Sequence, residues 1–318
     1  MIEYRTFRNS DPARIVALWN GCPLGRGAAT GVSVDAFETL NFAQPYFDRE
    51  GLILACAGAE IVGFVHAGFG TNAEETGLAF DSGVICAVLV HPSFRRQGIA
   101  RELVKRAEAY LFARGARCLW AGPSEPWDPF FFGLYGGSCP SGFLESDPDA
   151  APFLAAMGYE PIERHAVLQC DLAKQRSPMS FRFVNVRRKI ELTITPEPPN
   201  VSWWWATRYG RLDSVEFALR SKENPTELAA MTVVGMDLYM TSWQQRAVGL
   251  THLRTQETEL RKGYAQALVI EACRRLKDEL VTLAEAHALE SNAAVLKLLE
   301  SCGFSRVDTG VVYRRKAQ

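Results

Sequence analysis

The feature that most limits the possible folds is a segment in which a strand, a basic turn and a helix follow one another. An apolar strand pattern runs to Val90 and stops at His91-Pro92. After the turn, apolar residues recur at helical spacing, at Ile99, Leu103, Ala107 and Leu111. Because the first N–H groups of a helix have no partners within it, this arrangement points backbone donors and the helix dipole at an anion. The segment therefore predicts an α/β domain with an anion-binding turn.

The residues of the turn suit a phosphate. Gly98 allows close approach of the backbone, and the small Ala100 keeps the first turn of the helix open. Arg95 and Arg96 add positive charge that can meet phosphate oxygens. The predicted phosphate-binding residues are Arg95, Arg96, Gln97, Gly98, Ile99 and Ala100.

The turn resembles the pyrophosphate loop of the GNAT acetyltransferase superfamily, which reads Arg or Gln, two residues, Gly, one residue, Gly or Ala. Arg95, Gly98 and Ala100 fill this pattern. The resemblance implies acetyl-coenzyme A as co-substrate, with its pantetheine arm paired to the backbone of Leu89 and Val90. It also implies an α/β fold in which a mixed, mostly antiparallel twisted sheet is flanked by helices.

The pattern occurs a second time, in weaker form, over residues 259–265. Gly263 repeats Gly98, but Leu260 stands where Arg95 stands. A later helix closes on a Gly-aromatic pair in both halves, at 158–159 and 303–304. An internal repeat, in a chain of 318 residues, predicts two tandem GNAT-like domains. We place the first copy at residues 1–175 and the second at 180–318; the tandem architecture is similar to that of the mycothiol synthases.

The composition limits the classes of molecule that we expect the protein to bind. The net charge of −1 gives no field that would favour nucleic acid or an anionic membrane, and no apolar run reaches the roughly 18 residues of a membrane span. Residues 1–5 lack the apolar stretch of a signal peptide. Eight scattered cysteines without a CxxC pair read as buried small hydrophobes, not as a metal site. We therefore expect a cytoplasmic protein without a metal, and the oligomeric state stays open.

The remaining pattern predicts the other elements of the first copy. Its predicted strands are 2–7, 52–57, 61–69, 84–90, 117–121 and, closing the domain, 166–172. Its predicted early helices begin at Asp11, as cap, and span 34–47. After a strand within 181–194, the second copy has a Pro-rich segment too short for both early helices. We therefore expect a degenerate partner with a structural or substrate-shaping role, in which coenzyme binding stays open.

An aromatic insertion between Pro123 and Phe143 follows the predicted strand 117–121, and its residues 123–138 include five aromatic residues among Pro and Gly. The resemblance places this region beside the acceptor, so Trp127 to Tyr135 would form an apolar wall of the acceptor pocket. The alternative is a loop that packs onto the second copy. Both hold if the site lies between the copies.

The resemblance also implies a Tyr near the late helix that protonates the leaving thiolate. Leu154 and Leu299 stand at that position. Tyr135 is then the candidate acid, with Cys139 or a water as alternatives. Asp81 is the first candidate for the general base, and Glu125 is the second. The histidines, His252 among them, read as structural residues of the core or rim.

Two function classes follow. The first is an N-acetyltransferase that moves the acetyl group of acetyl-coenzyme A to a primary amine, of a small molecule, through a tetrahedral intermediate. The alternative is a non-catalytic coenzyme A-binding or sensor protein, which the missing Tyr favours. The sequence gives less support to acetylation of proteins, because no segment of it predicts a groove for a peptide.

Overall fold

A computed structural model of the chain describes residues 1–175, 186–223 and 226–315, and its strands form one mixed sheet. The first copy contributes β1 (Ile2–Thr6), β2 (Leu52–Ala57), β3 (Glu60–Thr71), β4 (Leu78–Val90), β5 (Cys118–Ala121), β6 (Phe143–Leu144) and β7 (Tyr159–Asp171). The second copy contributes β8 (Ile190–Thr195), β9 (Ser214–Ser221), β10 (Glu227–Gly235), β11 (Ala247–Thr255), β12 (Leu283–Leu289) and β13 (Ser305–Arg315).

Helices cover both faces of this sheet. Those of the first copy are α1 (Pro12–Gly21), α2 (Val34–Phe37), α3 (Ile99–Ala113) and α4 (Ala150–Ala156). Those of the second copy are α5 (Trp203–Tyr209), α6 (Met240–Trp243), α7 (Tyr264–Asp278) and α8 (Ala293–Ser301). Single 3-10 turns lie at Arg49–Gly51, Pro92–Phe94, Asp237–Tyr239 and Glu257–Glu259, and a π turn at Glu38–Phe42.

The strand order is symmetric about its centre. The strands run β1-β2-β3-β4-β5-β13-β7-β12-β11-β10-β9-β8, with the short β6 beside β13. Neighbours are antiparallel except β4 with β5 and β11 with β12, which are parallel. The two parallel pairs occupy equivalent places in the two copies. The predicted fold class, a pair of mixed and mostly antiparallel sheets flanked by helices, is confirmed.

The two copies exchange their last strands. β7 pairs with β12 of the second copy, and β13 pairs with β5 of the first. At the centre β7 and β13 pair with each other, with Gly310 opposite His165. The prediction that residues 166–172 close the first domain is therefore wrong, because this strand completes the sheet of the other copy. The boundary between the copies, predicted between residues 175 and 180, lies outside the described residues and stays a prediction.

The core of the first copy has two layers. α3 packs on one face of the sheet, where Leu103 and Ile85 are fully buried. α1, α2 and the insertion pack on the other face, around Trp19, Phe37 and Phe131. In the second copy α7 and α8 enclose a single apolar cluster with β9 to β12. The insertion therefore forms part of the hydrophobic core of the first copy.

Three local predictions need correction. The helix predicted over 34–47 is α-helical only to Phe37 and then becomes a π turn. Asp11 does not cap α1; its buried carboxylate pairs with Arg5 and Arg14 instead. The predicted strand 84–90 begins earlier, at Leu78. In the second copy the Pro-rich segment holds one short helix, α5, in agreement with the sequence.

Candidate active site

β4 and β5 separate and leave an opening in the sheet. Their parallel pairing ends at Ile85 opposite Ala121, although β4 continues to Val90. Along this continuation β4 pairs with β3 on one side only. Gly122 turns the chain away from β4 with a φ of 89°, and a Cβ there would lie 2.8 Å from the Cα of Gly142. The backbone of residues 86–90 therefore faces an opening that can take an extended ligand.

The predicted phosphate loop lies at the end of this opening. After the turn Pro92–Phe94, two residues take positive φ, Arg96 at 61° and Gly98 at 82°. Helix α3 then begins at Ile99. No atom lies within 4 Å of a Cβ built on Gly98, so the glycine is needed for its backbone angle and the space in front of it is free. The N–H groups at the start of α3 can receive an anion there.

The two arginines of the loop already have partners in the protein. Nε of Arg95 donates to the carbonyl oxygen of Val90 at 3.1 Å, and its Nη1 lies 3.4 Å from Asp149. Arg96 pairs with the same carboxylate at 2.5 Å. Gln97 donates to the carbonyl oxygen of Ser93. Asp149, at the start of α4, therefore fixes the loop against the helix across the opening.

A cavity of about 620 Å³, here called the first cavity, connects the loop with the interior of the first copy. Of the predicted coenzyme-binding residues, those that line it are Leu89, Val90, Arg95, Arg96, Gly98, Ile99 and Ala100. Gln97 is the one that does not appear in its lining. Leu154 of α4 lines the same cavity, so the position where the family carries its acid faces the site and is apolar here.

The inner end of the first cavity is apolar except for one hydroxyl. Trp19, Leu24 and Cys86 form its walls together with Tyr135. The Tyr135 hydroxyl oxygen accepts a hydrogen bond from the N–H of Leu144 at 3.1 Å. Burial raises the pKa of Tyr135 well above its usual value, so the phenol is a weaker acid here than in water. Tyr135 and Cys86, whose pKa burial also raises, are the proton-bearing groups of this inner end.

The other aromatics of the insertion lie elsewhere. Trp127 stacks on Trp120, with ring centroids 4.4 Å apart. Phe131 stacks on Trp19 in the core, and Phe132 packs against Tyr209 of the second copy. Of the stretch predicted to form part of the acceptor pocket, Tyr135 lines the first cavity, whereas Trp127, Phe131 and Phe132 do not. Phe131 and Gly133 take positive φ angles, and successive side chains turn to different sides. Tyr135 reaches the cavity, whereas Phe132 contacts the second copy, as the alternative predicted.

Neither predicted base reaches the first cavity. Asp81 is exposed near the start of β4, five residues before the opening begins at Cys86 and so roughly 16 Å from it, and it is absent from the lining of the cavity. Glu125 and Cys139 line a different, smaller cavity in the second copy. Their roles as base and acid at the first cavity are therefore not supported by the structure. Sequence order misled here, because the insertion crosses from one copy to the other.

His252 is a functional candidate that the sequence did not predict. Its Nε2 atom lies 3.0 Å from Oε1 of Glu125 at the smaller cavity. Burial would raise the pKa of Glu125, but the hydrogen bond with His252 and the charge of Arg208 lower it to about 2. The repeat offers one signal, since an offset of 165 residues places His252 at the position of Ala87, beside the opening.

Among the described residues, no group of three or more His, Cys, Asp or Glu side chains is arranged to hold a metal ion. None of the described helices is both long and apolar enough to cross a membrane.

Comparison with known proteins identifies the family of the chain. The sequence pattern described as the Acetyltransferase (GNAT) family matches residues 29–129, within the first copy. An acetyltransferase of Pectobacterium atrosepticum is 34% identical over 114 residues, which cover 36% of this chain and 70% of that protein. An acetyltransferase of Sodalis glossinidius is 32% identical over 114 residues, which again cover 36% of this chain and 70% of that protein. The chain is thus an acyltransferase.

Two solved structures resemble the whole chain. A tandem GNAT protein from the clavulanic acid biosynthesis pathway has a TM-score of 0.72 at 18% identity, over 100% of this chain and 99% of that one. The glucosamine N-acetyltransferase region of a fungal multi-domain β-N-acetylglucosaminidase has a TM-score of 0.73 at 17% identity, over 99% of this chain and 38% of that one. At such identities the likeness concerns the fold. The chain belongs to the GNAT family of acetyltransferases, with a tandem architecture.

Proposed function

We propose that the protein transfers the acetyl group of acetyl-coenzyme A to a primary amine of a small molecule, at the first cavity. One observation carries the proposal. A single cavity leads from the anion-binding loop, along the open edge of β4, to an apolar end that holds the Tyr135 hydroxyl. A donor that carries both a pyrophosphate and a reactive thioester needs these features in this order.

The donor would be held mainly by the backbone. N–H groups from Arg96 to Ala100 face the pyrophosphate, and Arg95 and Arg96 add charge. The free edge of β4 at Leu89 and Val90 offers backbone groups to the amides of the pantetheine arm, as an additional strand would. This fixes the thioester next to Ala87, where β4 and β5 have separated.

The thioester supplies a carbonyl carbon that a neutral amine can attack, with a thiolate as leaving group. The chain contributes position, a dry apolar wall and a proton source. A phenol is protonated at neutral pH even without a pKa shift, so Tyr135 can donate to the departing sulfur. Two acidic residues, Asp147 and Asp149, line the cavity beside α4, and the charge of Asp147 acts on Tyr135. The proton that the amine loses passes to solvent.

The walls indicate the class of acceptor. Trp19, Pro23 and Leu24 line the inner end of the cavity, and Trp19 is almost completely buried. An acceptor that displaces water from this surface gains most if its amine is carried by an apolar or aromatic body. A panel of primary amines with and without such bodies would rank them.

The test replaces Gly98 by Asp, which places a carboxylate where the pyrophosphate would bind. The matched control is Gly115→Asp at the other end of α3, since Gly115 also has a positive φ and open surroundings. We expect Gly98→Asp to abolish calorimetric binding of coenzyme A at the first cavity and Gly115→Asp to retain it. Unchanged affinity in a folded Gly98→Asp variant would refute the proposed donor site.

A further inference from the structure

The second copy has its own opening in the sheet. β11 pairs with β12 in parallel as far as Leu250 opposite Ala286, as β4 and β5 do to Ile85 opposite Ala121. The loop that follows repeats the positive φ angles of the first loop, with Arg261 at 62° and Gly263 at 94°. A cavity of about 180 Å³, here called the second cavity, lies at this opening.

His252 is presented to the second cavity by an irregularity of β11. The register between β10 and β11 shifts opposite Ala230 and Thr232, and His252 takes a φ of 50°. A non-glycine residue with positive φ is uncommon, and such strain is concentrated at functional sites. The imidazole is about one quarter exposed and, with Thr251, lines the cavity.

The partner of His252 comes from the other copy. Oε1 of Glu125, in the insertion, lies 3.0 Å from Nε2 of His252 and 3.6 Å from the buried guanidinium of Arg208. An ionised carboxylate can only accept, so Nε2 must carry the imidazole proton. Nδ1 then holds the lone pair; its nearest polar neighbour is the Thr251 hydroxyl at 3.4 Å. This is the arrangement of a general base oriented by a carboxylate.

We propose that the second cavity is a second acetyl-transfer centre, in which His252 accepts the proton of the attacking nucleophile and Glu125 of the first copy positions it. The proposal rests on the proposed function in one respect: the donor is the same thioester. It departs from the expectation of a merely structural second copy, which Leu260 and the missing helices suggested.

The step balances with the groups present. The nucleophile forms a bond to the carbonyl carbon and gives one proton to Nδ1 of His252. The carbon–sulfur bond breaks, and the imidazolium returns that proton to the departing thiolate. Glu125 stays ionised and stabilises the imidazolium while it exists. The donor needs no other co-reactant, and with water as nucleophile the product is acetate.

The second centre should bind its donor more weakly than the first. Leu260, 55% exposed, provides no charge where Arg95 stands in the first loop. The two helices that the donor would separate, α7 and α8, pack through buried apolar residues such as Val269 and Leu299. Nε2 of Gln266 also donates to the Ser301 hydroxyl at 2.8 Å. Separating the helices costs free energy, which reduces the affinity for the donor.

Binding is tested first, in the full-length Gly98→Asp variant with acetyl-coenzyme A. We expect calorimetry to show one remaining, weaker site, which disappears when Gly263→Asp is added. If Gly98→Asp does not fold, Ala100→Glu blocks the first loop in its place. A folded single variant without any remaining binding would overturn the proposal and leave the function proposed for the first cavity intact.

Turnover is tested in the same background, with water as the acceptor and release of free thiol as the signal. His252→Gln should lower this hydrolysis at least tenfold. Glu125→Gln should lower kcat for this hydrolysis less and leave the KM for acetyl-coenzyme A unchanged, since the imidazole is then less well oriented while the donor keeps its contacts. The control is His91→Gln, which changes the half-buried histidine that follows β4 and is absent from the lining of either cavity.

Two results would contradict this centre: no hydrolysis above the uncatalysed rate in the Gly98→Asp background, or hydrolysis that His252→Gln leaves unchanged. Failure of the proposed function looks different. In that case Gly98→Asp would retain the full rate of transfer to amines and all coenzyme binding, whatever residue stands at 252.

Discussion

The Nε atom of Arg95 donates to the carbonyl oxygen of Val90 at 3.1 Å. The arginine predicted to bind phosphate therefore also holds the end of the strand along which the donor would lie. The Nη1 atom of Arg95 lies 3.4 Å from the carboxylate of Asp149. The side chain thus links loop, strand and α4, and its replacement should affect charge and geometry together.

Arg95→Leu should weaken the binding of coenzyme A by about ten- to a hundredfold, the range expected for loss of a charge-assisted hydrogen bond. The variant gives the first loop a leucine at the position that Leu260 occupies in the second loop. Isothermal titration calorimetry measures the change. The control is Arg106→Leu, because Arg106 pairs with Glu102 on the outer side of α3. Equal effects of the two variants would show that general charge, not the loop position, matters.

Asp149 should compete with the donor for the arginines of the loop. Its carboxylate contacts both Arg95 and Arg96 and lines the first cavity. Asp149→Asn frees the two guanidinium groups, so we expect affinity for coenzyme A to rise about two- to fivefold at low salt, the scale of an exposed ion pair. Glu145→Gln, which breaks an exposed pair with Arg164, should change nothing. Weaker binding by Asp149→Asn would mean that the carboxylate orders the loop.

Tyr135→Phe removes only the hydroxyl at the inner end of the first cavity. We expect kcat for amine acetylation to fall by roughly ten- to a thousandfold while coenzyme binding stays intact. Tyr239→Phe is the matched control: Tyr239 is also buried, and its hydroxyl accepts the N–H of Gly137 away from the cavity lining. A near-neutral Tyr135→Phe variant would assign Tyr135 to the wall alone; Tyr135→Ala should then raise the KM of the acceptor.

Local sequence patterns predicted the loops well, for a physical reason. A strand, a glycine with positive φ and a helix of period 3.6 are each set by neighbouring residues, and Gly98 and Gly263 both precede their helices as the repeat predicts. The exchange of β7 and β13 has no such local signal. Alternation of apolar and polar residues identifies a strand but not the strand with which it pairs. Both β7 and β13 can pair with the outer strand of either parallel pair, which is β5 in one and β12 in the other.

The insertion shows a second limit. Its aromatics have no helical or strand period, so their directions depend on backbone angles at Phe131 and Gly133 that only the folded chain reveals. The pair of Glu125 and His252 is separated by 127 residues and by the boundary between the copies. A sequence read one copy at a time assigns Glu125 to the wrong cavity.

His66 should make stability depend on pH. The ring is fully buried, stacks on Phe130 at 3.8 Å, and neither nitrogen has a hydrogen-bond partner. Burial lowers the pKa of His66 from 6.5 to about 3. The folded-state pKa lies below the unfolded one, so this contribution is complete above pH 6.5 and is lost as the pH falls towards 3.

The expected slope from His66 is about 1.4 kcal/mol per pH unit below pH 6. Urea unfolding at pH 7.5 and pH 5 measures it, and His66→Leu, which has a similar volume, should remove that part of the difference. His91→Gln, on the half-buried histidine that ends β4, should keep it. Identical pH dependence in wild type and His66→Leu would mean that the buried ring is protonated in the folded state.

The insertion should depend on a buried ion pair between the two copies. Asp128 pairs with Arg208 of α5, and both side chains are at most 2% exposed. Asp128→Asn leaves the guanidinium with the half-exposed Glu125, 3.6 Å away, as its remaining counter-charge, so we expect a loss of about 3 kcal/mol in the free energy of unfolding, the lower end for a broken buried pair. The double variant Asp128→Leu with Arg208→Met should lose less, because neither charge is then buried alone.

The control, Glu279→Gln, breaks an exposed pair with Arg275 and should stay within about 0.5 kcal/mol. Urea unfolding gives all three values. A double variant less stable than Asp128→Asn would show that the ion pair, and not apolar packing, holds the insertion against α5.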